Sequence, residues 1–250
     1  MFALLYAFAA LLSAPLACAQ GQDHSVHEGH ANHKMSMPVE PFDPAAKVVA
    51  QAKLLADKRE SEFNHHLAGI LVILAGVFIL VDGTLRHHWP YGRYVWPICF
   101  LVAGLFLLVF SDTELWPFGP MSWWYGLTNR AEDLQHKTFA VILLGLAFIE
   151  IQRARGVLKG VWSGWVFPIV AAFGSVLLLF HEHASGTHGA DHMVIMQRIQ
   201  SEHLSFSITG FGIALTKGLS EVRVGWQSIF AKFWPVLMIV LGVLLLLYRE

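Results

Sequence analysis

The chain has 250 residues, of which 55% are hydrophobic and only 14% are charged, and its mean hydropathy is +0.52. A soluble domain of this length cannot bury so much apolar surface, so the composition predicts a membrane protein. The net charge of −1 gives no sign of the basic face that nucleic-acid binding requires, and no nucleic-acid partner is expected. Two cysteines, Cys18 and Cys99, are too few for a disulfide framework or a thiolate metal site.

The first 19 residues have the features of a secretory signal peptide. An apolar run at 2–17, FALLYAFAALLSAPLA, is short for a membrane span and is followed by the small residues Cys18 and Ala19. No Lys or Arg precedes this run, so an uncleaved first membrane anchor is the alternative. We interpret 1–19 as a signal peptide and expect the chain that follows to be exported.

A polar tail follows at residues 20–45 and contains almost no large aliphatic side chains, so we expect it to be disordered. Histidine recurs in it at every third position, and two methionines come next. These residues are His24, His27, His30, His33, Met35 and Met37. Regularly spaced histidines are typical of a metal-binding segment. A mobile tail could capture an ion and raise its effective concentration at a site in the membrane domain.

Residues 46–250 predict an all-α domain, a bundle of six transmembrane helices. The apolar runs lie near 64–82, 94–111, 137–152, 164–181, 203–219 and 230–248, each close to the ~20 residues that a bilayer requires. Loops with many Lys and Arg residues alternate with acidic ones, and the basic loops face the cytoplasm by the positive-inside rule. The tail and the C-terminus are therefore expected on the outer side.

Twelve of the 14 histidines fall on that outer side. Besides the four in the tail, they are His65, His66, His136, His181, His183, His188, His192 and His203, all at or near the outer end of a predicted helix. A surface can be solvated by Lys and Glu and does not need histidine, whose side chain titrates near neutral pH. The placement of most histidines on one side therefore indicates a binding role. Glu62 and Glu132 each stand four residues before a histidine, where a carboxylate could orient the imidazole.

A similar apolar stretch follows each of three outer histidines, His66, His136 and His203. This similarity favours a threefold repeat of helix pairs in which the three histidines are equivalent. The alternative is that any two membrane helices resemble each other in composition.

The candidate metal ligands are the imidazoles of the outer helix ends and the donors of the tail. They are His66, His136, His203, His181, His183, His65, His24, His27, His30, His33, Met35 and Met37. Neutral imidazole binds copper, zinc, iron and nickel, and thioether sulfur adds a preference for Cu(I). We therefore expect copper first and zinc second.

The signal peptide, the outward His/Met-rich tail and the histidine-bearing helical bundle together resemble the bacterial copper resistance D-like membrane proteins. The resemblance implies copper handling (transport, relay or resistance) at the periplasmic face of the bacterial cytoplasmic membrane, with a periplasmic copper carrier as a partner. Few polar residues lie between the helix ends, which favours binding or relay over pumping. No enzymatic activity is indicated.

Two other classes stay open. Outer histidines could be axial ligands of one b-type haem, as in membrane electron-transfer cytochromes. The inner face offers only His87 and His88, which argues against a chain of two haems across the membrane. A zinc-dependent membrane hydrolase, with Glu182 as the base, is the second alternative.

Overall fold

A computed structural model describes residues 44–85, 87–180, 190–222 and 225–249, all of which belong to one compact unit, Pro44–Glu250. These residues form helices and loops, and none of them forms a strand. The predicted signal peptide lies outside the described residues, as do these candidate ligands: His24, His27, His30, His33, Met35, Met37, His181 and His183. The expectations for those segments stay predictions.

The described residues contain six long helices and two short ones. In chain order the α-helices are α1 (Pro44–Leu85), α2 (Val95–Val109), α3 (Trp123–Asn129), α4 (Ala131–Ala154), α5 (Val161–Leu179), α6 (Ala190–Glu221) and α7 (Gln227–Leu247), with a 3-10 helix (Pro90–Tyr94) leading into α2. Each of the six predicted apolar runs falls on one long helix. The all-helical prediction is therefore confirmed for this part of the chain.

Five of the long helices are long and apolar enough to cross a bilayer, namely α1, α2 with its preceding 3-10 turn, α4, α5 and α7. They fit a multi-pass membrane protein. The sixth predicted span lies on α6, which is not among the five. Ser205, Ser207, Thr209 and Lys217 interrupt its apolar run and lower its hydropathy.

The long helices pack in a closed ring. Contacts join α1 to α2, α2 to α4, α4 to α5, α5 to α6, α6 to α7 and α7 back to α1, and the α4–α5 contact is the thinnest of these. The core inside the ring contains residues from all six helices. At its centre the ring of Phe167 lies 5.2 Å from that of Trp234 and 6.0 Å from that of Phe100.

The turn between α4 and α5 shows how the sequence ends a helix. Gly156 has a φ of +75°, which a residue with a side chain rarely adopts. Its N–H donates to Arg153 O at 2.9 Å, and the N–H of Val157 donates to Gln152 O at 3.0 Å, the two bonds of a Schellman motif. The chain thereby reverses and returns as α5.

Two glycines allow α1 and α7 to approach closely. A Cβ added at Gly69 would lie 2.7 Å from Gly242 O, and one added at Gly242 would lie 2.7 Å from Gly69 O. Small residues at such crossings let membrane helices pack backbone to backbone. This contact holds the C-terminal helix beside the first one.

We expect Gly242→Leu to force α1 and α7 apart and to destabilise the protein by about 1–3 kcal/mol, the usual cost of overpacking. The measurement is the thermal unfolding midpoint of the detergent-purified protein. Gly145→Leu is the matched control, because a Cβ at Gly145 meets nothing within 4 Å. Equal midpoints for the two variants would contradict the close approach.

Candidate functional site

The first half of α1 projects beyond the ring and covers the loop that follows α2. With 42 residues α1 is about 63 Å long, twice the ~30 Å of a bilayer core. Lys53 Nζ lies 2.8 Å from Glu114 Oε1, and Glu60 Oε2 accepts from Thr113 Oγ1 at 2.9 Å. These bonds hold the loop against α1, and the one from Lys53 lowers the pKa of Glu114.

Asp112 in this loop is buried and is the centre of a hydrogen-bonded group. Its carboxylate accepts from His136 Nδ1 at 2.7 Å, from Lys137 Nζ at 2.6 Å and from Ser111 Oγ at 2.7 Å. Burial raises the pKa of Asp112, but the bonds from His136, Lys137 and Ser111 outweigh it and hold the pKa at about 2. Asp112 is therefore ionised at neutral pH and fixes the orientation of the His136 ring.

Lys137 is the cationic partner of this group and is only 5% exposed. Its Nζ also donates to Leu107 O at 3.0 Å and lies 5.5 Å from the centre of the Trp123 ring. An ammonium group at this depth in a membrane helix needs such partners, since the bilayer offers none.

A second group of rings lies where α1, α6 and the end of α7 meet. His65 stacks on Tyr248 with ring centres 3.8 Å apart, and His203 lies edge-on to His65 at 5.8 Å. His66 Nε2 donates to Tyr248 O at 3.2 Å. His203 and Tyr248 are almost fully buried, at 2% and 1% exposure.

Three of these imidazoles are held in the same tautomer. His65 Nδ1 lies 2.8 Å from Ser61 O, and His203 Nδ1 lies 2.8 Å from Ile199 O. A carbonyl oxygen can only accept, and so can the ionised carboxylate of Asp112 that faces His136 Nδ1. Each Nδ1 therefore carries the hydrogen, and in the neutral ring the lone pair is on Nε2. Metal-binding histidines show this arrangement, with one ring N–H donated to a carboxylate or a carbonyl.

A cavity of about 100 Å³ connects the two groups, because both His65 and His136 line it. Carboxylates make up much of the remaining wall, and they come from Asp57, Glu60, Asp112, Glu114, Glu132 and Asp133. Arg130 is the one Lys or Arg residue that the described part of the chain places on the wall, and it is paired with Glu114 and with Asp133. A small, acidic space of this kind favours cations.

Four of the predicted outer histidines, His65, His66, His136 and His203, are among the described residues and lie at one end of the bundle, but their partners differ from the expected ones. His136 is oriented by Asp112, whereas the sequence pattern indicated Glu132. The environment of His203 matches that of His65, which has the same bond to a carbonyl one turn earlier. His136 binds a carboxylate, His203 binds a carbonyl of its own helix through Nδ1, and His66 binds the carbonyl of Tyr248 through Nε2. The described helices therefore do not show the three as equivalent members of a repeat.

No metal-binding group of three or more His, Cys, Asp or Glu side chains is assembled among the residues that the structure describes. The rings of His65 and His203 lie 5.8 Å apart, and His136 lines the cavity together with His65. Further donors for a complete coordination sphere would have to move in or come from segments outside the described ranges.

The sequence did not lead us to predict that Asp112, Lys137 and Tyr248 lie at the histidine end of the bundle. A lysine directly after His136, at the start of an apolar helix, was a usable signal, because a charge there requires a counter-ion. Nothing in the sequence pattern indicated that Tyr248, 183 residues after His65, would stack on it, since its position depends on the packing of α7.

A second charged network at the opposite end was also missed. Arg153 Nη1 lies 2.9 Å from Glu150 Oε1, Arg153 Nη2 lies 3.4 Å from Glu221 Oε1, and Lys217 is paired with Glu221. Lys217 Nζ also lies 5.1 Å from the centre of the Trp234 ring. Glu150, one turn before Arg153 in an apolar run, was the available signal.

No protein-family model, curated protein or solved structure matches the chain. The resemblance to copper resistance D-like proteins therefore stays a hypothesis that rests on composition and on the order of segments.

We expect Asp112→Asn to destabilise the protein by about 3 kcal/mol, because the loss of its charge leaves the buried Lys137 ammonium uncompensated. The check is the thermal unfolding midpoint. Adding Lys137→Met should recover most of the loss, whereas Glu114→Gln, at a half-exposed ion pair, should cost less than about 1 kcal/mol. If the variant with both Asp112→Asn and Lys137→Met is as unstable as Asp112→Asn alone, the uncompensated charge of Lys137 is not the cause of the destabilisation.

The hydrogen-bonded group around Asp112 also predicts that the stability of the protein depends on pH. The pKa of Asp112 in the folded protein is about 2, below its ordinary value of 3.8, so the native state binds fewer protons than the unfolded one. Its stabilising contribution is therefore present above pH ~4 and is lost as the pH falls toward 2. The difference in unfolding midpoint between wild type and Asp112→Asn should shrink as the pH falls from 4 toward 2. A difference that vanishes near pH 6 would indicate control by an imidazole instead.

Proposed function

We propose that the protein binds and handles copper at the outer end of its helical bundle. The observation that carries the proposal is the shared tautomer of His65, His136 and His203, whose Nδ1–H groups are held by Ser61 O, Asp112 and Ile199 O. Each ring is thereby fixed with Nε2 as its ligating atom. Orienting three imidazoles in advance lowers the entropy lost on metal binding.

Copper is the first choice and zinc the second. Imidazole nitrogen suits both ions, and the thioethers of Met35 and Met37 in the tail favour Cu(I). The carboxylates around the cavity attract a cation to the site without being soft ligands themselves. In this proposal the tail donors, with His181 and His183, capture the ion and supply further ligands.

The membrane arrangement is also part of the proposal. Residues 1–19 act as a signal peptide, α6 is the sixth span, and both ends of the mature chain face the periplasm of a bacterial cytoplasmic membrane. The packing of α6 between α5 and α7 supports a sixth span. The alternation of basic and acidic loops supports the orientation. A periplasmic copper carrier would then reach the histidines directly.

Binding or relay at the outer face is favoured over passage across the bilayer. The middle of the ring is apolar, and the hydroxyl groups there are engaged, since Ser207 Oγ donates to Ser175 O at 2.8 Å. An ion crossing this depth would need a chain of polar groups.

The b-type haem alternative is less favoured by the geometry. The space that His65 and His136 line is about 100 Å³ and is bordered by carboxylates, which suits a bare ion better than an apolar macrocycle. The hydrolase alternative depends on Glu182, which lies outside the described residues.

We expect the triple substitution of His65, His136 and His203 by alanine to abolish copper binding in a chain that also lacks residues 22–37. The deletion removes the tail donors, so the readout reports the membrane site alone. Metal content is measured by elemental analysis, with Cu(I) affinity from competition with a chromophoric chelator. The matched control is His87→Ala/His88→Ala, which removes two exposed imidazoles from the other end of the apolar part of α1.

Copper retained in the triple variant would refute the site. A strong Soret band with iron in the wild-type protein would replace the proposal by the haem alternative. Nitrogen NMR of ¹⁵N-histidine provides a test that does not depend on bound metal, because the three rings should be protonated at Nδ1.

A further inference from the structure

We propose that an acyl chain of a membrane lipid occupies an apolar cavity at the centre of the helix ring and enters it between α4 and α5. The cavity has a volume of about 170 Å³ and is distinct from the acidic cavity at the outer end. All six long helices contribute to its wall, through residues such as Val72, Phe100, Leu143, Ala171, Ile213 and Met238. This inference does not depend on copper binding.

The seam between α4 and α5 is where the ring is weakest. These two helices make the thinnest contact among neighbours in the ring. Leu143 and Ala171, which belong to the wall on this side, are half-buried, whereas Phe100, Ile213 and Met238 on the far side are 6%, 4% and 2% exposed. The cavity is therefore accessible from the side of the ring and closed at its back.

The seam faces the bilayer. Val141 and Phe148 on α4 are 59% and 62% exposed, and Ile169 on α5 is 64% exposed. Both helices are among the five that can span a membrane. Hydrocarbon is the medium at this depth, so a lipid chain is the molecule present at the highest local concentration.

The chemistry of the wall selects hydrocarbon over any polar ligand. Among the described residues, Ser175 is the one hydroxyl residue on it, and Ser175 Oγ already donates to Ala171 O at 2.8 Å. A cavity of about 150 Å³ with such a wall stays dry and binds small apolar molecules. Filling it with methylene groups restores the dispersion contacts that an empty space would lack.

Phe206 separates this cavity from the outer histidines. Its ring is part of the cavity wall and lies 5.5 Å from the His203 ring and 6.2 Å from the His65 ring. The acyl chain would thus end beneath the two imidazoles without touching them, and it would support the packing of the helices that carry them.

The test uses the full-length protein in vesicles that contain phosphatidylcholine with a diazirine in the middle of one acyl chain. After photolysis, the labelled residues are mapped by mass spectrometry. We expect labels on Phe100, Ile213 or Met238, which lipid surrounding the protein cannot reach. Labels confined to outward residues such as Val141 and Ile169 would overturn the proposal. The same result is expected if a second copy of the chain covers the seam and blocks lipid entry.

Ala171→Phe should fill the entrance and abolish labelling of the buried wall. Ile169→Phe is the matched control on the same helix and should leave that labelling unchanged. If Ala171→Phe fails to fold, Leu143→Ala tests the same seam in the opposite direction, because widening the entrance should increase labelling of Met238. Unchanged labelling of Met238 in Leu143→Ala would contradict entry at this seam.

Discussion

A largely buried carboxylate requires several hydrogen bonds, and that requirement shapes the end of the bundle at which the histidines lie. Asp112 is only 9% exposed, and its carboxylate accepts from Ser111, His136 and Lys137. The bonds join the end of α2 to the start of α4. Ser111 O also accepts from Asn64 Nδ2 at 3.1 Å, which extends the connection to α1. One buried charge thereby joins three helices at the depth where the imidazoles lie.

The two ends of the bundle use charge differently. At the end away from the histidines, Glu150, Arg153, Lys217 and Glu221 neutralise one another in a network that ties α4 to α6. At the histidine end the Asp112 carboxylate and two backbone carbonyls face the Nδ1 atoms of three imidazoles. The first network therefore stabilises a contact between helices, whereas the bonds at the histidine end also fix the orientation of the three rings.

The position of α7 decides whether the histidines form a group. Gly69 and Gly242 let α7 lie against α1, and the helix then delivers Tyr248 to the ring of His65. Tyr248 O accepts from His66 on the same helix. Gly69 is four residues after His65 and Gly242 is six residues before Tyr248. The close approach of α1 and α7 at these glycines thus controls the packing of the aromatic rings one to two helical turns away.

The amino-acid sequence by itself determined the helical class, the apolar runs and the gathering of His65, His66, His136 and His203 at one end. Hydropathy and helix periodicity are local properties of the sequence. Successive membrane helices run in opposite directions, so the first, third and fifth of them begin on the same side. Only the tertiary structure decided that His136 pairs with Asp112, that His65 and not His66 matches His203, and that Tyr248 joins them. Those partners are 24 or more residues apart along the chain, and their contacts depend on the angle and register at which helices pack, which composition does not encode.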